Sequence, residues 1–213
     1  MKILLIFLAL SIPVTALATN IIPEGARFRP DSLISENTES GEINGIKYKI
    51  DRENGDAVFQ GIEGASLDGS SVWDGTNWTA ACKRDAMSDG ITCHLKRGAL
   101  WVFQFKTGRT TVSIGSDHYP GSSVAVRIDN LPPIQAPAGK DGNLDTSASG
   151  SVTTQLSKGQ KFRTRYMKWP YREWVEGEEG TRGFTPAHEY LKWVMRLANT
   201  GPTNSKPKTN IRH

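Results

Sequence analysis

Between residues 45 and 128 the chain alternates apolar and polar side chains in short runs, each broken by a glycine-containing pair. This period-two pattern constrains the fold more than any other feature, because only a half-buried strand places every second side chain on one face. In "GIKYKI" Ile46, Tyr48 and Ile50 alternate with Lys47 and Lys49, and "SSVAVRID" repeats the pattern with Val124, Val126 and Ile128. "GITCHLK", "ALWVFQFK" and "RTTVSIG" follow one another across Arg97-Gly98 and Thr107-Gly108, the signature of a meander. In "LWVFQFK" the alternation sets Trp101, Phe103 and Phe105 on one face, read as buried, and Val102, Gln104 and Lys106 on the wetter one. Asp74-Gly75, between aromatic-containing runs, reads as a hairpin or short loop.

Farther on, "NLPPIQAPAGKDGNLDTSASGS" reads as a long connector, and "SVTTQL" and "QKFRTRYMKW" as further strands. In the last of these Phe162, Thr164 and Tyr166 alternate with Lys161, Arg163 and Arg165. One helix is expected near the end. "FTPAHEYLKWVMRLANTGP" has Thr185 as N-cap, Pro186 in the first helical position and Gly201-Pro202 past the stop, with Ala187, Tyr190, Leu191, Val194 and Leu197 on one stripe. The expected fold class is mainly β, an antiparallel β-sandwich with one C-terminal α-helix.

The N-terminus bears on compartment. Lys2, the apolar run Ile3 to Val14 and Ala16-Leu17-Ala18 have the form of a cleavable export signal, shorter than a spanning helix and interrupted by Pro13. The expected organisation is a signal peptide over 1–18, a polar N-terminal arm over 19–44, the β-sandwich with its helix over 45–198, and a disordered basic tail over 199–213. The expected location is periplasmic or secreted, with no transmembrane segment in the mature chain. In an oxidising compartment the two cysteines, Cys82 and Cys93, pair around Asp89-Gly90 as a local disulfide. A zinc site is disfavoured, since His94 adds only one further ligand and no second Cys/His pair exists.

A formal charge of +4 and a pI near 9.1 suggest an acidic partner, but the charge is uneven. The body from 19 to 195 holds 21 Lys/Arg against 22 Asp/Glu, and the last 18 residues carry Arg196, Lys206, Lys208 and Arg212 without an acid. A neutral exported body argues against nucleic acid as a partner. No G-x-S-x-G elbow, H-E-x-x-H, Walker loop or dinucleotide fingerprint is present, and no cofactor or metal is expected. Asp141, Asn143 and Asp145 begin like a calcium loop, but Thr146 and Val152 stand where an EF-hand has Gly and Glu.

The most unusual local chemistry lies between Lys158 and Arg172, where six cations occur without an acid before Glu173, Glu176, Glu178 and Glu179. Arg163, Arg165, Tyr171 and Arg172 are therefore the candidate binding residues, against the alternative that these charges pair across a hairpin. A second functional reading is a periplasmic hydrolase using His118 and nearby carboxylates, Asp117 first among them. A third is a structural protein that contacts peptidoglycan or outer-membrane components through the cationic strand.

"NWTAACKRDAMSDGITCHL", with Trp78, Cys82 and Cys93, resembles the opening of the invasion-associated locus B family of exported bacterial proteins. "VRIDN", "LSKGQKFRTRY" and "GFTPAHEYL" follow in the order of that family's strand, turn-strand and helix entry. Its members commonly carry a second cysteine pair, which this chain lacks. The resemblance implies an exported β-sandwich without known enzymatic activity, a binding module for an envelope or host-surface partner that neither the residues nor the resemblance identifies.

Overall fold

The computed structural model describes residues 38–51, 55–68, 75–85, 87, 90–139 and 141–200. The expected signal peptide, the first part of the arm and the tail beyond 200 lie outside them. Eleven strands form two antiparallel sheets among the described residues. The larger is a seven-stranded meander in chain order: β1 (Thr38–Ile43), β2 (Ile46–Asp51), β3 (Ala57–Phe59), β4 (Trp78–Arg84), β5 (Ile91–Arg97), β6 (Leu100–Phe105) and β7 (Thr110–Ile114). The smaller contains β8 (Ser123–Ile128), β9 (Ile134–Pro137), β10 (Lys161–Lys168) and β11 (Glu173–Gly180), in the order β11-β10-β8-β9. Helices α1 (Thr146–Leu156) and α2 (Phe184–Thr200) complete it. The mainly β, sandwich-like architecture with a C-terminal helix is as expected, and no described helix is long and apolar enough to cross a membrane.

Between the layers lies one core. The large sheet contributes Trp78, Leu95, Leu100 and Ile114, the small sheet Val124, Val126, Ile128 and Phe162. Phe184, Leu191 and Val194 of α2 and Val152 and Leu156 of α1 close it. Trp78 is its hub, with Phe162 at 5.7 Å and Phe184 at 5.1 Å between ring centroids. Its indole N–H is satisfied by the Arg182 carbonyl at 3.0 Å.

Cys82 and Cys93 stand directly opposite each other on β4 and β5 and are joined. Both are buried on the core-facing side of the sheet. The expected disulfide is therefore present, as a staple between two strands that already pair, so its effect is to restrict the unfolded chain.

Three expectations require correction. "SVTTQL" is helical, as part of α1. Asp145 caps that helix by accepting from the Ala148 N–H at 2.8 Å, and Ser149, Val152 and Leu156 bury at helical spacing. Thr153 and Thr154 read as strand formers in isolation, but their hydroxyls bond back to carbonyls one turn earlier. The connector before α1 contains a strand, β9, paired to β8. Of the polar arm, whose docking the sequence leaves open, Thr38–Ile43 form edge strand β1 against β2. Helix α2 starts at Phe184, before the expected cap Thr185, and runs to Thr200, past the domain limit drawn at 198. Asp74 lies outside the described residues, so the reading of a turn at Asp74-Gly75 is not covered, and β3 and β4 are joined by the long connection 60–77.

Arginine 97 is also a core residue. It is almost fully buried at 2% exposure, donating to the carbonyls of Gly75 (3.0 Å), Gly61 (3.1 Å) and Arg182 (3.3 Å). A guanidinium suits this place because its planar fork reaches several backbone acceptors at once. It ties the 60–77 connection and the entry to α2 onto the end of β5.

Candidate functional site

The register of β5 against β6 determines which face of β6 meets solvent. Cys93 pairs with Gln104, Leu95 with Val102 and Arg97 with Leu100. Since the disulfide places Cys93 toward the core, Leu100, Val102 and Gln104 follow it inward, and all three are buried. Trp101, Phe103 and Phe105 therefore lie half-buried on the outer face, the reverse of the side read for them from alternation alone. Gln104 is tolerated inside because Thr110 Oγ1 donates to its Oε1 at 2.9 Å and its amide donates to the Arg109 carbonyl at 3.2 Å.

The outer stripe is dense in rings. Trp101 and Phe103 are nearly parallel, 5° apart with centroids at 6.0 Å. His94 of β5 lies 5.1 Å from Trp101 and 6.0 Å from Phe103. Burial among them, with Lys96 nearby, pushes the His94 imidazole down to about 4, so it is neutral at physiological pH. Lys96 Nζ sits 4.7 Å from the Trp101 ring, and the Arg109 guanidinium 4.7 Å from that of Phe105.

Two loops and a hairpin tip wall this stripe into a groove of about 710 Å³, which Thr92, Asp117, His118, Asp141, Asn143 and Trp169 also line. The wall is held from several sides. The Gly115 N–H donates to the Ala99 carbonyl at 2.8 Å, and the Trp169 N–H to the Asp117 carbonyl at 2.6 Å. His118 bridges to Lys168, and Ser113 bridges to Asn143. His118 Nε2 donates to the Ile114 carbonyl at 2.7 Å, and its ring meets Tyr166 edge-on at 5.7 Å. Gly142 lets this ring approach: it has φ +62°, and a Cβ there would fall 2.6 Å from His118 Nε2. Asp141 and Asn143 beside it are exposed.

This geometry makes His118 a strut. Nε2 is held by a carbonyl, and Nδ1 is buried without a hydrogen-bond partner. Asp117 and Asp141 line the same groove, but neither is hydrogen-bonded to the imidazole. The arrangement of an imidazole oriented by a carboxylate and facing substrate is not formed here. No group of His, Cys, Asp and Glu able to hold a metal occurs among the described residues.

The four candidate binding residues read from sequence, Arg163, Arg165, Tyr171 and Arg172, lie elsewhere and fall into two places. Arg163 and Arg165 point outward from β10 and face Glu178 and Glu176 across the β10–β11 ladder. Arg163 Nε binds Glu178, and Arg165 Nε reaches Glu176 Oε1 at 2.6 Å while its guanidinium lies 5.7 Å from the Trp174 ring. Lys161 adds a 3.2 Å contact to Glu178, and these cations hold that carboxyl below its usual range. The two arginines line a second groove of about 600 Å³ with Arg127 and Gln135. Tyr171 and Arg172 sit at the hairpin tip, where Tyr171 is 78% exposed and Arg172 stacks over Tyr119 at 5.4 Å. The cations of β10 are thus matched by the acids of β11, the cross-strand pairing weighed from sequence.

The outer groove of the large sheet was not legible as a site, because Leu100 and Val102 are as apolar as the aromatics beside them. The one available signal was the disulfide: assigning Cys93 inward fixes β5, and a tight turn then carries that choice into β6. Comparison with protein-family models, curated proteins and solved structures finds no match for the chain.

Proposed function

We propose that this chain is an exported, non-catalytic binding module of the bacterial envelope, and that it binds through the groove on the outer face of β6. The observation that carries this reading is the stripe Trp101, Phe103, Phe105, half-buried on the outer face of a strand paired on both sides and walled by Trp169, Asp117 and Asp141. Rings at a protein's surface are retained at recognition sites, where they supply large contact area at low entropic cost. Export is supported by the form of residues 1–18 and by the Cys82–Cys93 disulfide. The hydrolase reading loses ground because His118 is engaged by the Ile114 carbonyl.

Co-sedimentation with washed bacterial envelopes tests this reading. The mature protein is expected to pellet with the envelopes, a Trp101→Ala/Phe103→Ala variant to stay in the supernatant, and an Arg163→Ser/Arg165→Ser/Arg172→Ser variant to pellet normally. Loss only in the arginine variant would move the site to the small sheet, and equal pelleting of all three would remove both surfaces.

A further inference from the structure

The lining of the β6 groove specifies a ligand chemistry, and this inference rests on the binding role proposed above. Three kinds of group meet there: the rings of Trp101, Phe103, Phe105 and Trp169, the carboxylates of Asp117 and Asp141, and the Asn143 amide with the Thr92 hydroxyl. A pyranose presents a C–H face and a rim of hydroxyl groups. Aromatic rings accept such a face, and carboxylates, which can only accept hydrogen bonds, need donors of the kind the rim supplies. The two carboxylates disfavour an acidic group at that wall, and Lys96 and Arg109, which lie over the Trp101 and Phe105 rings, can donate to a neutral hydroxyl rim.

An extended peptide matches less well. Strand addition requires an unpaired backbone edge. β6 is paired along its length to β5 on one side and β7 on the other, so the groove floor offers side chains only. The rings also follow one another along the strand from Trp101 to Phe105, which suits a chain more than a single small molecule. We propose that the groove binds an uncharged glycan chain, sugar faces resting on the Trp101–Phe103–Phe105 stripe and hydroxyls on Asp117, Asp141 and Asn143.

Titration followed by tryptophan fluorescence and by amide and indole chemical shifts tests this, using cellohexaose, chitohexaose, an oligogalacturonate of equal length and a proline-rich peptide. At least one neutral hexasaccharide is expected to saturate, with shifts confined to the groove. Trp101→Ala should weaken that affinity about tenfold, the size of one lost aromatic contact. Asp141→Asn should weaken it less, Arg163→Ser/Arg165→Ser should leave it unchanged, and the oligogalacturonate should bind more weakly. Absence of binding by both neutral sugars, equal affinity in Trp101→Ala, or binding of the peptide alone would overturn the glycan assignment. If envelope co-sedimentation still depended on Trp101 and Phe103 after that result, the binding role would stand and only its ligand class would fall.

Discussion

At the scale of single residues, the molecule holds several polar groups in places where only one chemical form fits. His94 lies among the outer rings and His188 packs against Phe184 at 5.1 Å, and burial holds both imidazoles near 4, below the ordinary 6.5. A histidine with a depressed folded-state value leaves the protein at full stability above about 6.5. As pH falls, the unfolded chain takes up the proton first, and stability is lost until the folded value near 4 is reached. Unfolding free energy measured in urea is expected to fall between pH 7 and 5 by at most about 2 kcal/mol per histidine. A His94→Gln/His188→Gln variant should flatten that slope, and an unchanged slope would show that neither group is buried neutral. Arg97→Met leaves the carbonyls of Gly61, Gly75 and Arg182 without this donor, at a cost of roughly 3 kcal/mol read by the same denaturation.

At the scale of elements, local chemistry and tertiary register share the control. Asp145→Ala should destabilise by about 1 kcal/mol, because the cap it removes is what commits 146–156 to a helix. Replacing both cysteines with serine should cost about 2–3 kcal/mol in thermal or chemical unfolding without changing the far-ultraviolet spectrum, since β4 and β5 stay paired through their backbones. Strands with one apolar face were legible in the sequence: Val124, Val126 and Ile128 in β8 and Phe162, Thr164 and Tyr166 in β10 all face inward as read. The helix α1 was not, because its Val and Thr residues have strand propensity and its amphipathic face consists of one serine, one valine and one leucine. Nor was the inward side of β6. Alternation there separates two apolar sets, and the choice belongs to the neighbouring strand.

Among the described residues of the molecule as a whole, two sheets, two helices and a core between them leave two outer faces with different characters. The small sheet turns outward a ladder of opposite charges, Arg163 with Glu178 and Arg165 with Glu176, which is already neutralised within itself. Exposed pairs of this kind contribute little to stability, and a partner would have to break them. The large sheet turns outward rings flanked by loops that are pinned to both sheets, so its groove is built before any ligand arrives. That preorganisation favours binding on β6 over the cation-rich segment, whose charges already pair within the small sheet. Gly142→Ala should loosen the groove and lower stability together, since the added Cβ falls 2.6 Å from both the His118 ring and the Ile114 carbonyl and alanine is strained at φ +62°. Weaker envelope binding with a lowered unfolding midpoint is the expected result.

The most direct measurement of the central claim compares neighbouring positions on one strand, Val102→Ala and Trp101→Ala, for unfolding free energy and envelope binding. With Val102 in the core and Trp101 on the outer face, Val102→Ala should cost about 2 kcal/mol with binding per folded molecule intact. Trp101→Ala should cost about 1 kcal/mol or less and weaken binding about tenfold. The opposite result, a large stability loss at Trp101 and a binding loss at Val102, would contradict the orientation of β6 and the function built on it.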